Sequence, residues 1–340
     1  MHQTHDHAML ALPPPHSRSP LTTASDASSQ HALRGYRRLL FASDGGTLSR
    51  GALTLAALLA RRDDAQVDVV SVVDAPSPDC GARDAGDESR RVEARLERVA
   101  AQSEALLGRT EWTLTILAGD PLSSLARVAS ALPYDLLLIG IARRGLTCAL
   151  GHSTALDLAQ RVAVPVLAVP EYFRSLPRRA VVGVDGGAAA SAAARATVRL
   201  LERPSSVDLV HVAPTLVAGH SGEPRRRRSS ARRDADVGRR LVLLARELDV
   251  SADLHVRQFL LPERDPVPAL LRCAKHAGAS LIALGSHGFT KGWPSVQVAP
   301  SVLRLARQCL LLSSGTPRFP YTSAPRPEEN VFARSAPSLA

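Results

Sequence analysis

The sequence predicts an α/β protein of two tandem domains, each with a doubly wound, five-stranded parallel sheet. Short Val/Leu-rich strands alternate with Ala/Leu-rich helices, and this alternation runs through the chain twice. Strands that alternate with helices imply right-handed β-α-β crossovers and therefore parallel strands. The chain has 340 residues, of which 45% are hydrophobic, so it is long enough for two domains with ordinary cores.

Each copy of the unit opens with a short apolar strand that ends at an Asp-Gly-Gly sequence. The Asp is Asp44 in copy one and Asp185 in copy two. Later in each copy, Asp120 and Asp265 precede a proline, and both pairs are predicted to begin a helix, because Asp is a good N-cap and Pro suits the first turn. Asp185 follows Asp44 by 141 residues, and Asp265 follows Asp120 by 145. Spacing kept this closely indicates an internal duplication.

Further apolar runs predict the other elements of each copy. In copy one they place a helix near 47–62 and strands at 67–73, 135–140 and 164–169. In copy two they place a helix near 188–203 and strands at 207–212, 280–285 and 309–312. Val/Leu-rich runs of this kind are typical of strands that are buried on both faces of a sheet.

The ends of the chain differ in composition from the two copies. Residues 1–34 are rich in Ser, His and Pro, and residues 315–340 hold five prolines with scattered apolar residues. Both segments are predicted to be disordered tails. The predicted division of the chain is tail 1–34, domain 35–170, linker 171–177, domain 178–314 and tail 315–340.

The formal charge of +10 is concentrated in copy two. Between Glu223 and Arg240 eight Arg stand against three acidic residues, so this stretch carries half of the excess. A local charge run is typical of a solvated loop, and no aromatic residues lie between these arginines to stack on bases. We therefore expect an Arg-rich insertion at 218–240 and no nucleic-acid partner. Alternatively, Arg225–Arg228 with the two serines that follow would suit an acidic partner or a phosphorylation switch.

Cysteine usage and the absence of targeting patterns predict a cytoplasmic protein. The cysteines show no CxxC spacing, which is typical of reduced thiols; they are Cys80, Cys148, Cys273 and Cys309. The N-terminal segment lacks a signal-peptide pattern, and no apolar run is long enough to cross a membrane. The histidines of the first tail match no defined metal site, so we expect no metal and no membrane partner.

Candidate ligand-binding residues fall where the predicted strands end. In open parallel sheets, ligands bind beyond the carboxyl ends of the strands, at the point where strand order reverses. There Asp44 and Asp185 can accept hydrogen bonds from a base or a ribose. Val72 and Val212, at the ends of the second strands, offer an apolar wall and backbone groups.

The turn after the fourth strand leads to a helix N-terminus, where unpaired N–H groups suit a phosphate. In copy two Gly285 and Gly288 allow the backbone to approach an anion closely. In copy one the turn begins at Gly140, and Arg143 stands where copy two has the second glycine, Gly288. The chain then reaches Gly151 and Ser153 near the next helix.

These features together resemble the universal stress protein family in its tandem, two-domain form. The resemblance rests on the Asp-Gly strand ends, on the Gly-x-x-Gly turn of copy two, and on the helix-to-strand ending at 161–169. It covers about residues 36–170 and 178–314. It implies a Rossmann-like (HUP) fold and a cytoplasmic role in stress response or regulation.

Family members with the full motif Gly-x2-Gly-x9-Gly-Ser/Thr bind ATP, and the resemblance implies ATP as a candidate cofactor. Neither copy has the full motif. In copy one, Arg143 replaces the second glycine. The segment Gly151–Ser153 aligns with the Gly-Ser/Thr at the end of the motif only after one residue is deleted. In copy two, Val298 and Ala299 stand at the motif's end, without a hydroxyl.

Two interpretations stay open. A nucleotide site could be retained through backbone N–H groups, with Arg143 or Arg144 supplying charge. Alternatively, the site could be a relic on a ligand-free interaction scaffold for an unidentified protein partner. No catalytic set is evident, so we expect no enzyme; a weak adenine-nucleotide hydrolase is the remaining alternative.

The two copies are expected to pack as an internal pseudo-dimer. Single-domain members of the family commonly pair through their last strand, so the resemblance implies that 164–169 meets 309–312. Such pairing would cover an edge that otherwise invites association. A homodimer of the whole chain is a further option.

Overall fold

The computed structural model describes residues 10–11, 35–73, 82–141, 152–213, 224–249, 251–286, 298–315 and 330–335. Within these residues the chain forms twelve strands and eight α-helices. The strands are β1 (Leu10–Ala11), β2 (Arg38–Ala42), β3 (Gln66–Val73), β4 (Trp112–Ala118), β5 (Leu136–Ile141), β6 (Val166–Pro170), β7 (Arg179–Gly183), β8 (Ser205–Val212), β9 (Leu254–Leu261), β10 (Leu281–Gly285), β11 (Cys309–Ser313) and β12 (Asn330–Ser335). The helices are α1 (Arg50–Asp63), α2 (Ala82–Leu107), α3 (Pro121–Ala131), α4 (His152–Arg161), α5 (Ala188–Leu200), α6 (Pro224–Leu248), α7 (Pro266–His276) and α8 (Val298–Leu305).

The described strands form one sheet in the order β1-β9-β8-β7-β10-β11-β6-β5-β2-β3-β4-β12. Copy one contributes β2 to β6 and copy two β7 to β11, and the strands within each copy are parallel. Counted within its own copy, each set has the order 3-2-1-4-5. The identical order confirms the predicted doubly wound fold and its duplication.

Helices cover both faces of this sheet. Buried residues of α1, α2, α5 and α6 pack with one face, and those of α3, α4, α7 and α8 pack with the other. The predicted Asp-Pro helix starts are confirmed: Asp120 accepts a hydrogen bond from the Ser123 amide at 2.8 Å, and Asp265 accepts one from the Val267 amide at 3.0 Å. These caps satisfy amides that have no partner inside the helix.

The two copies meet through their last strands, as expected. β6 pairs with β11 in antiparallel register, with Leu167 opposite Leu311. On the helical layer beside this seam, the Ser286 hydroxyl donates to the carbonyl of Ala159, and the Ser314 hydroxyl donates to that of Val162. The seam therefore joins two five-stranded sheets into one and removes both inner edges.

Two parts of the predicted tails are ordered, which corrects the expectation that 1–34 and 315–340 are disordered throughout. β1 pairs with β9, and β12 pairs with β4, both antiparallel. β4 and β9 are the outer strands of the two copies, and an outer strand presents unpaired N–H and C=O groups to any extended segment. The N-terminal strand thus lies on copy two and the C-terminal strand on copy one.

The Arg-rich stretch is helical, so the expected loop insertion at 218–240 is wrong for residues 224–240. These residues lie in α6, which corresponds in chain order to α2 of copy one. Arg and Ala are strong helix formers, and Pro224 at the first helical position suits a helix start. The side chains of Arg225–Arg228 lie outside the described part.

Arginines of both copies cross the boundary between them. Arg62, at the end of α1, donates to the carbonyls of Arg199, Leu200 and Leu201 at the end of α5. These carbonyls have no acceptor role inside the helix, so they attract cationic donors. Arg199 stacks on the Tyr36 ring, with its guanidinium carbon 4.6 Å from the ring centroid.

Arg199 also donates to Asp135 and to the Gly35 carbonyl of copy one, at 2.9 and 3.2 Å. Asp135 in addition accepts hydrogen bonds from the backbone amides of Arg37 and Arg38. Burial opposes ionisation of this carboxyl, but these donors outweigh it and hold the pKa of Asp135 below its usual value.

The described cysteines are buried and unpaired. Burial raises the pKa of the Cys273 thiol to about 11, and it raises the pKa of Cys309 well above its usual value. Both residues therefore behave as core side chains. Cys80 and Cys148 lie outside the described residues.

No described helix combines the length and apolar character that a membrane span needs.

Replacing Arg199 by Ala should lower the free energy of unfolding by roughly 2–4 kcal/mol, because it removes a charged hydrogen bond and a cation–π contact that join the copies. The measurement is urea unfolding of the full chain. The matched control is Arg178→Ala, since Arg178 pairs with Glu202 inside copy two and both side chains are largely exposed; its loss should stay below about 1 kcal/mol. Equal effects of the two substitutions would contradict the proposed role of Arg199.

Acid should weaken the boundary between the copies. A carboxyl whose pKa is depressed in the folded state stabilises that state above its unfolded pKa, and this stabilisation is lost as the pH falls through the folded value. The melting temperature of the wild-type chain should therefore fall more between pH 7 and pH 3 than that of Asp135→Asn, which has no charge to lose. Parallel pH curves would show that Asp135 contributes nothing to this dependence.

Candidate functional site

Each copy carries a cleft at the carboxyl ends of its parallel strands. In copy one the cleft lies between the ends of β2 and β5, and in copy two between the ends of β7 and β10. These are the points at which strand order reverses, which is where doubly wound sheets bind ligands. We name them cleft one and cleft two.

The Asp-Gly-Gly sequences form the same turn at both clefts. Asp44 accepts a hydrogen bond from the Gly46 amide, and Asp185 accepts one from the Gly187 amide, both at 2.8 Å. The intervening glycines, Gly45 and Gly186, have φ angles of +71° and +80°, a region that side chains disfavour. The turn leaves each carboxylate at the rim of its cleft with further capacity to accept hydrogen bonds.

The structure brings together six of the ten predicted site residues, three in each cleft. Asp44, Val72 and Gly140 line cleft one. Asp185, Val212 and Gly285 line cleft two. Of the others, Arg143, Gly151 and Gly288 lie outside the described residues, and Ser153 is described only as part of the α4 backbone.

Gly140 and Gly285 are explained by packing as well as by the cleft. A Cβ atom at Gly140 would lie 2.4 Å from the Leu48 carbonyl oxygen, and one at Gly285 would lie 2.9 Å from Cβ of Ala189. Both neighbours belong to the segment that leads into or begins the first helix of the copy. The glycines therefore let this segment approach the fourth strand, whether or not a ligand is present.

Thr154 is a cleft-one residue that the sequence analysis missed. It lines cleft one from the first turn of α4, as Ala299 lines cleft two from the first turn of α8. The two residues are 145 positions apart, as are Gly140 and Gly285. The copies therefore align without a deletion, and Thr154 occupies the Ser/Thr position of the motif. An ungapped count from Gly140 would have found it.

The two clefts differ in hydroxyl groups. Ser43, Ser49 and Thr154 line cleft one. The residues of cleft two at the same places in the repeat carry no hydroxyl; they are Val184, Ala190 and Ala299. The Ser49 hydroxyl donates to the Gly46 carbonyl at 2.7 Å and the Ser43 hydroxyl to Ser49 at 3.4 Å, so toward a ligand these two serines act as acceptors. Cleft one is thus polar at positions where cleft two is apolar.

A cation projects from the second helix of each copy into its cleft. Arg95 of α2 lines cleft one and Arg233 of α6 lines cleft two, 138 residues later. The Nε atom of Arg95 is buried and has no hydrogen-bond partner among the described residues. Sequence reasoning missed this pair, because the helix is distant in sequence from the other cleft residues. Only the equal spacing within the repeat could have indicated it.

Cleft two has a buried polar pair that cleft one lacks. His211 lines it from β8 and Asp234 from α6, with exposed fractions of only 6% and 4%. Nδ1 of His211 lies 2.8 Å from the Val184 carbonyl oxygen, and Nε2 lies 3.5 Å from Oδ1 of Asp234. At the same places in the repeat, copy one has Ser71 and Leu96.

Among the described residues, no group of His, Cys, Asp and Glu could hold a metal ion.

Two solved structures that cover most of the chain share this architecture. A universal stress protein from Archaeoglobus fulgidus is 15% identical, covers 83% of this chain and 97% of its own, and superimposes with a TM-score of 0.56. A functionally unknown protein from Pseudomonas aeruginosa PAO1 is 13% identical, with 83% and 94% coverage and a TM-score of 0.50. A universal stress protein in complex with cAMP is 20% identical over 40% of this chain and 98% of its own, with a TM-score of 0.32.

No curated protein sequence matches the chain. The model of the universal stress protein family, in contrast, matches it twice, at residues 35–170 and 177–312. The two matches cover most of the chain and coincide with the two copies of the fold. The chain therefore belongs to the universal stress protein family and carries two domains of that family in tandem.

Proposed function

We propose that this chain is a nucleotide-binding regulatory protein, acting in the cytoplasm in the response to stress, which holds one adenine nucleotide in cleft one. The observation that carries the proposal is the set of hydroxyls, a carboxylate and a cation that converge on this cleft. Ser43, Ser49, Asp44, Arg95 and Thr154 all line it, beside the N-terminal turn of α4.

Each part of a nucleotide has a matching group in cleft one. The carboxylate of Asp44 can accept hydrogen bonds from a ribose or from the amino group of a base. Val70 and Val72, at the end of β3, offer an apolar wall to the base. Thr154 and the amides of the first turn of α4, which have no partner inside the helix, can donate to a phosphate, as helix N-termini commonly do.

Arg95 supplies the charge that this arrangement needs. A guanidinium donates up to five hydrogen bonds and pairs well with phosphate oxygens. The buried Nε of Arg95 has no partner among the described residues, so an anionic ligand would satisfy it. This supports a retained site rather than a relic.

The described part of cleft two is less suited to a phosphate. Two carboxylates, Asp185 and Asp234, face it with one cation, Arg233. Cleft one has one carboxylate and one cation among its described residues. Because like charges repel and cleft two lacks the hydroxyl of Thr154, we expect a single nucleotide per chain.

The test is calorimetric titration of the full chain with ATP and Mg²⁺, comparing the wild type with Thr154→Val. This substitution keeps the side-chain shape and removes one hydrogen bond to a charged ligand, so affinity should fall roughly tenfold to a hundredfold. Stoichiometry in the wild type should be about one nucleotide per chain.

Ala299→Thr is the matched control, because it places a hydroxyl at the same position of cleft two. It should leave the cleft-one affinity unchanged. If the wild type gives no heat of binding at millimolar ATP, the chain does not bind the nucleotide. An affinity unchanged by Thr154→Val would show that the nucleotide does not lie in cleft one.

A further inference from the structure

The polar pair of cleft two defines a binding chemistry that differs from that of cleft one. A carbonyl oxygen can only accept a hydrogen bond, so Nδ1 of His211 carries the hydrogen in its 2.8 Å contact with Val184. This bond fixes the orientation of the imidazole and leaves Nε2 as the second functional atom of the ring.

Nε2 of His211 has no hydrogen-bond partner among the described residues. Its 3.5 Å separation from Oδ1 of Asp234 exceeds the usual range for such bonds, about 2.7–3.2 Å. A ring nitrogen buried to this degree without a bond is costly, which is why native proteins rarely contain one. A ligand in cleft two would supply the missing partner.

Most of the other described residues that line cleft two are apolar. Val210, Val237, Leu270 and Leu284 line it, together with Ala190 and Ala299. Its volume is about 110 Å³. For comparison, an engineered apolar protein cavity of about 150 Å³ holds a benzene molecule. Cleft two is somewhat smaller than that cavity, so the largest ligand that it suits is a single ring, which would present one polar group to the cleft.

The polar atoms of cleft two define that polar group. Asp185 and Asp234 are acceptors when ionised, and Nε2 of His211 accepts when the ring carries its one hydrogen on Nδ1. Of the described side chains that line the cleft, Arg233 is the cation that opposes them. An N–H donor on the ligand therefore complements the site, and a phosphate does not.

We propose that cleft two is a second ligand site, which binds a small aromatic or heteroaromatic amine through Nε2 of His211. The site is independent of the nucleotide site proposed for cleft one, because it uses different residues and a ligand without phosphate. The chain would then hold two chemically different ligands in two copies of one fold.

The test uses aniline and toluene, two rings of nearly the same size that differ in an N–H donor. In calorimetric titrations of the full chain, aniline should bind at least about tenfold more tightly than toluene, since it satisfies Nε2. In ¹⁵N spectra of the histidine side chains, aniline and not toluene should shift the Nε2 signal of His211. The signal is assigned among the eleven histidines with His211→Gln.

His211→Ser, which installs the residue that copy one has at this position, should weaken aniline binding about tenfold and leave ATP binding unchanged. Ser71→Ala in copy one is the matched control and should alter neither. Equal binding of aniline and toluene, an unmoved Nε2 signal, or loss of aniline binding in Thr154→Val would each overturn the proposal. The spectra of the wild type decide the question even if His211→Ser does not fold.

Discussion

The antiparallel pairing of β6 with β11 is the interaction on which the rest of the structure depends. It merges two parallel sheets into one and removes the two edges at which separate domains would otherwise associate. Arg62 and Arg199 reinforce the same boundary from the helical layer. The two subunits of a homodimer have the same sequence. The two copies here are held in one chain, so their sequences can differ while the strands still pair.

This freedom is visible in the clefts. Their backbone geometry is the same, down to the left-handed glycine after each aspartate and the carboxylate that accepts from the next amide. Their side chains differ at equivalent positions of the repeat: Thr154 of cleft one corresponds to Ala299 of cleft two, and Ser71, beside cleft one, corresponds to His211 of cleft two. The fold conserves the position of the site, and the substitutions change the ligand chemistry that each site favours.

The parts predictable from sequence were those with strong local signals. Apolar runs located four strands per copy, and Asp-Pro pairs located two helix starts. The third strand of each copy, β4 or β9, was not located; for β9 the reason is that a charged and polar edge strand such as Leu254–Leu261 carries a weak pattern. The Arg-rich stretch was read as a loop from its charge, although arginine favours helices. Arg95, Arg233 and the His211–Asp234 pair reach their clefts only through tertiary packing, so no local pattern could place them.

The central claim is that two copies of one fold hold clefts of different chemistry, of which cleft one binds a nucleotide phosphate. A crystal structure of the full chain grown with ATP and Mg²⁺ tests it most directly. We predict electron density for the nucleotide in cleft one, with its phosphates near Thr154 and Arg95, and none in cleft two. Nucleotide density in both clefts, or in cleft two alone, would contradict the account.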